Sequence, residues 1–280
     1  MLSRLLGALL RAAIVVMVVA TPSLLLPGTT PEGAQMVMLV ALCLGVFIAF
    51  EYGAGCPALV EFRDAPPFNR VRVLSLLVML FLLSLVAGGG NEGSSLILVL
   101  NALGFLVGHA LEFPWSPLSV LLDRLPAEAA PVQALQVKIM AGLATLIALV
   151  ALVVFVLLLR LQQWPSRAQA FNVWINLPTF DPTTGGDIVA RLKRDARVNV
   201  ILGFAVAFVV PVVGLTAADH IGVMVLSAPH TMVWGISLWM FLPLSMVMRG
   251  LAMARIADMI RDRRARLVAS VASDAGRQPA

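Results

Sequence analysis

Leu96-Ile-Leu-Val-Leu-Asn-Ala-Leu-Gly-Phe-Leu-Val-Gly-His-Ala-Leu111 is apolar enough to enter a lipid bilayer, and whether it crosses decides the topology of the chain. Six other apolar blocks flank it: Leu5 to Leu26, Met36 to Phe50, Val73 to Gly88, Ile139 to Leu159, Val198 to Ala217 and Met232 to Met248. Each approaches the ~20 residues needed to span a hydrocarbon core of about 30 Å. They read as helices, because only helices and closed barrels satisfy their backbone in lipid, and a barrel strand would alternate. Composition agrees. Only 12% of the residues are charged, against roughly 25% in soluble domains, so the chain could not cover itself with polar surface in water. The longest polar stretch, Arg160 to Arg197, is too short to bury an independent core.

Charge orients the blocks. Of the twenty Lys and Arg residues, eighteen fall in four places: Arg4 and Arg11 near the N-terminus; Arg63, Arg70 and Arg72 after the second block; Arg160 to Arg197 after the fifth; and Arg249 to Arg277 after the last. The positive-inside rule assigns all four to the cytoplasm and leaves Arg124 and Lys138 outside. An even number of crossings must then separate the basic loops 51–72 and 160–197, yet three blocks lie between them. If all three crossed, thirteen basic residues would be exported and seven retained, which inverts the rule.

The block to demote is Leu96 to Leu111. It is short, it carries Asn101, Gly104, Gly108 and His109, and it lies between Gly88-Gly89-Gly90 and the prolines 114, 117 and 126. The expected fold is therefore all-α: a polytopic membrane helix bundle of six transmembrane helices plus one re-entrant, tilted or interfacial helix over about 95–112. Both termini are cytoplasmic, residues 1–272 form a single domain, and 273–280 form a disordered tail. The first block reads as an uncleaved anchor, because Arg11 interrupts it and no A-x-A pattern follows; a cleaved signal would leave the later topology unchanged.

Within the demoted block, Ser94, Asn101, Gly104, Gly108 and Glu112 share one helical stripe with Ile97. Gly104-x-x-x-Gly108 lets another backbone approach, and Asn101 can bond across the contact. That stripe is either a packing seam or the lining of a pore or ligand site. His109, His220 and His230 lie on the outer side near Glu112, Asp123 and Asp219. None has metal-ligand spacing such as H-x-x-x-H, so they read as interfacial histidines, with no metal or cofactor expected.

Two cytoplasmic loops are rich in proline and aromatics. The first offers Phe62, Arg63, Asp64, Phe68 and Arg70; the second offers Trp164, Trp174 and Phe180 among Pro165, Pro178 and Pro182. They read either as a cap folded over the bundle or as a docking surface for a membrane-protein partner; the tryptophans also suit an interfacial belt. Asp181-Pro-Thr-Thr-Gly-Gly-Asp187 has no Gly-Lys pair of a P-loop and reads as a turn ending in a helix cap. The tail from Gly250 starts as a helix with Met253, Ile256, Met259 and Ile260 on one side. It ends in the basic run Arg261 to Arg266, which suits an anionic inner leaflet. Nucleic acid is not indicated, since the arginines flank spans rather than line one surface.

No acid or base sits near the middle of a clear crossing, which weighs against an ion-coupled carrier. The leading functional reading is a non-enzymatic accessory or assembly subunit of a membrane complex. A transporter or channel for a neutral or weakly polar solute is the alternative, and a lipid-modifying enzyme using His109 and Glu112 a third.

The stretches Val60-Glu-Phe-Arg-Asp-Ala-Pro-Pro-Phe-Asn-Arg70 and Phe171-Asn-Val-Trp-Ile-Asn-Leu-Pro-Thr-Phe-Asp-Pro182 resemble those of a multi-pass membrane protein family of Rhodobacter-like α-proteobacteria. The resemblance implies a bacterial inner membrane and brings no activity, cofactor or site residue with it.

Overall fold

A computed structural model describes residues 2–55, 59–63, 66–89, 94–123, 125, 131–161, 176–177, 180–181, 183, 185–221 and 228–275. These residues form eight helices and no strand: α1 Leu2–Leu25, α2 Pro31–Gly53, α3 Pro66–Ala87, α4 Ser95–Leu111, α5 Pro117–Asp123, α6 Pro131–Leu161, α7 Ile188–Ile221 and α8 Pro229–Ala275. Five of the eight begin on proline, whose fixed φ suits the first helical turn and whose missing N–H costs nothing there. Side chains also cap helix starts. The Thr30 hydroxyl accepts from the Gly33 N–H at 3.1 Å ahead of α2, and Asp187 accepts from the Ala190 N–H at 3.2 Å ahead of α7.

The chain is a polytopic helical bundle. Helices α1, α2, α3, α6, α7 and α8 each carry a stretch long and apolar enough to cross a bilayer. Helix α4, at 17 residues, does not reach that length; it measures about 26 Å against a hydrocarbon core of about 30 Å. The end of the bundle that holds Arg63, Arg72 and Arg249 is here termed the basic pole, and the end that holds Glu112 and Asp123 the acidic pole.

Two apolar cores stack between the poles. Toward the acidic pole, Val18 and Leu26, then Met79, Leu80 and Leu83, pack with Val137 and Met140 of α6, Leu118 and Leu121 of α5 and Met232 to Trp239 of α8. Toward the basic pole, Phe68 and Phe155 pack with Leu192 and Ala196 of α7 and with Met248, Met253 and Ile256 of α8. Helix α5 thus plugs the acidic end. Helix α2 lies outermost, with only Ala41, Gly45 and Glu51 buried. An apolar outer face of this kind is the one lipid covers.

Helices α7 and α8 run antiparallel in one register along much of their length. Asp187 meets Arg264, Lys193 meets Asp258, Ala196 and Val200 meet Gly250, Gly203 meets Pro243 and Val247, and the Trp239 indole donates to the Ala207 carbonyl at 2.7 Å. A Cβ on Gly250 would lie 2.7 Å from the Ala196 carbonyl oxygen, so the absent side chain sets the approach.

This pairing corrects the reading of the tail. The helix of the last crossing does not stop near Met248; α8 runs unbroken for 47 residues, about 70 Å. Met253 and Ile256, expected to rest on lipid, are 1% and 0% exposed and fill the protein core instead. Hydropathy falls where the helix leaves lipid, but its partner α7 leaves with it and keeps the apolar stripe covered. The helix reaches Ala275, three residues into the segment expected to be disordered, and 276–280 lie outside the described residues.

Candidate functional site

The stripe on α4 meets α6. A Cβ on Gly104 would lie 2.5 Å from the Ile139 carbonyl oxygen, and one on Gly108 2.4 Å from that of Lys138. From the other side, a Cβ on Gly142 would lie 2.0 Å from the Gly104 oxygen and 2.4 Å from the Gly108 nitrogen. Three glycines therefore bring two backbones into direct contact, as small-xxx-small motifs allow. The sequence named two of them. The third was hidden, because one glycine in an apolar run carries no pattern of its own. The contact closes the glycine part of the stripe, leaving no solute path at Gly104 and Gly108. Asn101 is half-buried beside it.

At the end of this seam Glu112, Lys138, His109 and Phe105 converge. The Lys138 ammonium bonds the Glu112 carboxylate and lies 5.3 Å from the centre of the Phe105 ring, which stacks on His109 at 6.2 Å. His109 Nδ1 is 3.8 Å from Glu112 Oε2, so the pair singled out for catalysis is adjacent. Two observations point to a latch rather than an acid–base pair. The bond from Lys138 holds the Glu112 carboxyl below its ordinary value, and the His109 side chain is 71% exposed instead of enclosed. His230 bonds the Thr29 hydroxyl at 2.9 Å, and the side chain of His220 lies outside the described residues. Among the described residues no three His, Cys, Asp or Glu side chains cluster as metal ligands.

The basic pole holds the denser polar network. Arg249 grips Glu61 with two bonds, Nε to Oε2 at 2.6 Å and Nη2 to Oε1 at 2.8 Å, while its Nη1 donates to Asn199 Oδ1 at 3.0 Å. One side chain at the end of the last crossing thus ties α8 to the first basic loop and to α7. The bidentate fork is the geometry in which arginine binds carboxylate best. Arg72 lies 5.1 Å from the centre of the Phe68 ring and 5.8 Å from that of Phe241. Glu51, 4% exposed, accepts from the Leu59 and Val60 N–H groups at 3.1 and 3.2 Å, and Arg63 donates to the Ala54 carbonyl at 2.6 Å. Glu61, Asn199 and Arg249 were not marked by sequence: each is an ordinary flank residue until the fold joins them.

The aromatic loop residues turn inward. Phe62, Phe68 and Phe180 are 0%, 1% and 6% exposed; the Phe62 and Phe68 rings lie 4.4 Å apart, and Phe68 meets Phe155 edge-on at 5.9 Å. The Phe62 N–H donates to the Asn176 carbonyl at 2.7 Å and joins the two loops. To place its ring, Phe62 adopts φ +53, a region costly for an aromatic residue. Through these described residues the two loops fold over the bundle, and these three rings are not a docking surface. The reason is burial of large apolar area, which composition alone could not assign to inside or outside. Arg70 is exposed, whereas Asp64, Trp164 and Trp174 lie outside the described residues.

Between the loops and α7, Asp181 Oδ1 accepts from the Thr183 N–H at 2.8 Å, a turn that delivers the chain to the Asp187 cap. Asp187 also binds Arg264 of α8 at 2.6 Å, and that bond holds its carboxyl below the ordinary value.

Comparison with protein-family models, curated proteins and solved structures finds no match to the chain.

Proposed function

We propose that the chain is a non-enzymatic accessory or assembly subunit of a membrane complex, seated in a bacterial inner membrane with its basic pole at the cytoplasm. The observation that carries this reading is the outward part of α8. From Arg261 to Ser270 every residue is exposed, yet the helix continues. A helical stretch that its own bundle leaves uncovered, with Leu267 and Val268 exposed beside the arginines, gains little from its own core and suits a bridge to another body. Its base is held by Met253 and Ile256 in the core and by the Lys193–Asp258 and Asp187–Arg264 pairs, so it projects as an ordered arm. Arg263 and Arg266 have no acidic partner among the described residues. Their charge favours an acidic partner surface and speeds its encounter.

The polar groups of the two candidate sites support the same reading, since their bonds hold helices and loops together. The partner surface is accordingly assigned to the arm and not to the buried aromatic loops. Affinity purification in mild detergent tests it. The wild-type chain is expected to bring down a membrane-protein partner that Arg263→Glu/Arg266→Glu loses while remaining folded. A chain that always runs alone would overturn the reading.

A further inference from the structure

We propose that the seam between α7 and α8 at the basic pole is a binding site for one anionic phospholipid of the adjoining leaflet. A cavity of about 420 Å3 opens there, lined among others by Lys193, Arg197, Val200, Ile201, Gly250 and Ala254. The size lies within the range of about 300–1,000 Å3 of small-ligand sites, enough for a headgroup, glycerol and the upper part of an acyl chain. The cavity arises from sequence: the helices close on each other at Gly250, and the small Ala254 one turn on leaves a trough beside that contact.

The lining changes character along the helices. Val200, Ile201, Gly250 and Leu251 form an apolar floor on the bundle side, and Lys193, Arg197 and Asp258 stand at the outward end. The charge there is unbalanced. Asp258 is shared by Lys193 and Arg261, each at 3.2 Å, while the exposed Arg197 has no acidic partner among the described residues. A phosphodiester at Arg197 supplies the missing charge, and an acyl chain covers the floor. Free phosphate matches only the first feature. A choline headgroup would set its cation beside Arg197 and Lys193. The site thus fits a lipid with a net negative headgroup, and the assignment stands independently of the accessory-subunit reading.

The test uses the full chain in mild detergent, titrated with phosphatidylglycerol, phosphatidylcholine or inorganic phosphate and read by native mass spectrometry. Phosphatidylglycerol is expected to be retained in preference to phosphatidylcholine. Arg197→Gln should lower that retention about fivefold, the value of one basic residue at a lipid surface. Ala254→Phe, which fills the trough, should abolish retention of both lipids, and Arg70→Gln on the same pole should change nothing. Thermal unfolding checks that each variant is folded. Equal retention of the two lipids, an unchanged Arg197→Gln protein, or displacement by equimolar inorganic phosphate would each overturn the proposal.

Discussion

Gly142 of α6 lies against Gly108 of α4 so closely that a Cβ on Gly142 would stand 2.4 Å from the Gly108 nitrogen. The obstacle is backbone on both sides, and no rotamer change can relieve it. Gly142→Ala should therefore separate the helices and lower stability by about 1–3 kcal/mol, the usual cost of overpacking. Denaturant titration in detergent would measure the loss. Hydrogen exchange should show it concentrated in α4, and a uniform change across the bundle would contradict the seam.

Arg249 is held by Glu61, whose side chain is only 15% exposed. Arg249→Ala leaves that carboxylate half-buried without its fork, and the loss should be about 3 kcal/mol. The paired change Arg249→Met with Glu61→Leu removes both charges and should recover most of it. If the double variant were as unstable as the single one, the pair would owe its effect to packing.

Phe62 combines full burial with a positive φ. Phe62→Ala removes the ring and keeps the strain, at a cost of about 3–5 kcal/mol. Phe62→Gly removes the ring and relieves the strain, so it should be less damaging than alanine by about 1 kcal/mol. Equal losses would mean that the backbone strain contributes nothing.

Two surface latches set the response to acid. The carboxyls of Glu112 and Asp187 are lowered from 4.5 and 3.8 by Lys138 and Arg264 respectively. A carboxyl depressed in the folded state stabilises it above the unfolded pKa, and this contribution is lost as pH falls through the folded value. The latches should thus be intact at neutral pH and open only below about pH 4. Hydrogen exchange at the C-terminal end of α4 and the N-terminal end of α7 should rise in that window. Lys138→Met should remove the response at α4 and leave that at α7.

The six crossings were legible because lipid imposes its own length on every apolar block, and the demotion of α4 followed from charge parity. The glycine stripe was legible too, since it has helical spacing within one element. What escaped depends on partners distant in sequence. Gly142 has no repeat to mark it, and Glu61 finds Arg249 across 188 residues. The tail was legible as a helix, but its packing on α7 escaped, because hydropathy registers solvent and not a neighbouring helix. The aromatic loops were legible in composition and not in direction, since the apolar area that would suit a docking surface also suits a lid.

Because one unbroken helix is both the last crossing and the arm, the two cannot tilt independently. The membrane segment and the arm lie on the two sides of the glycine contact at Gly250. Helices adjust their tilt to the thickness of the bilayer around them. A change in the tilt of the membrane segment should therefore turn the arginine-bearing stretch with it.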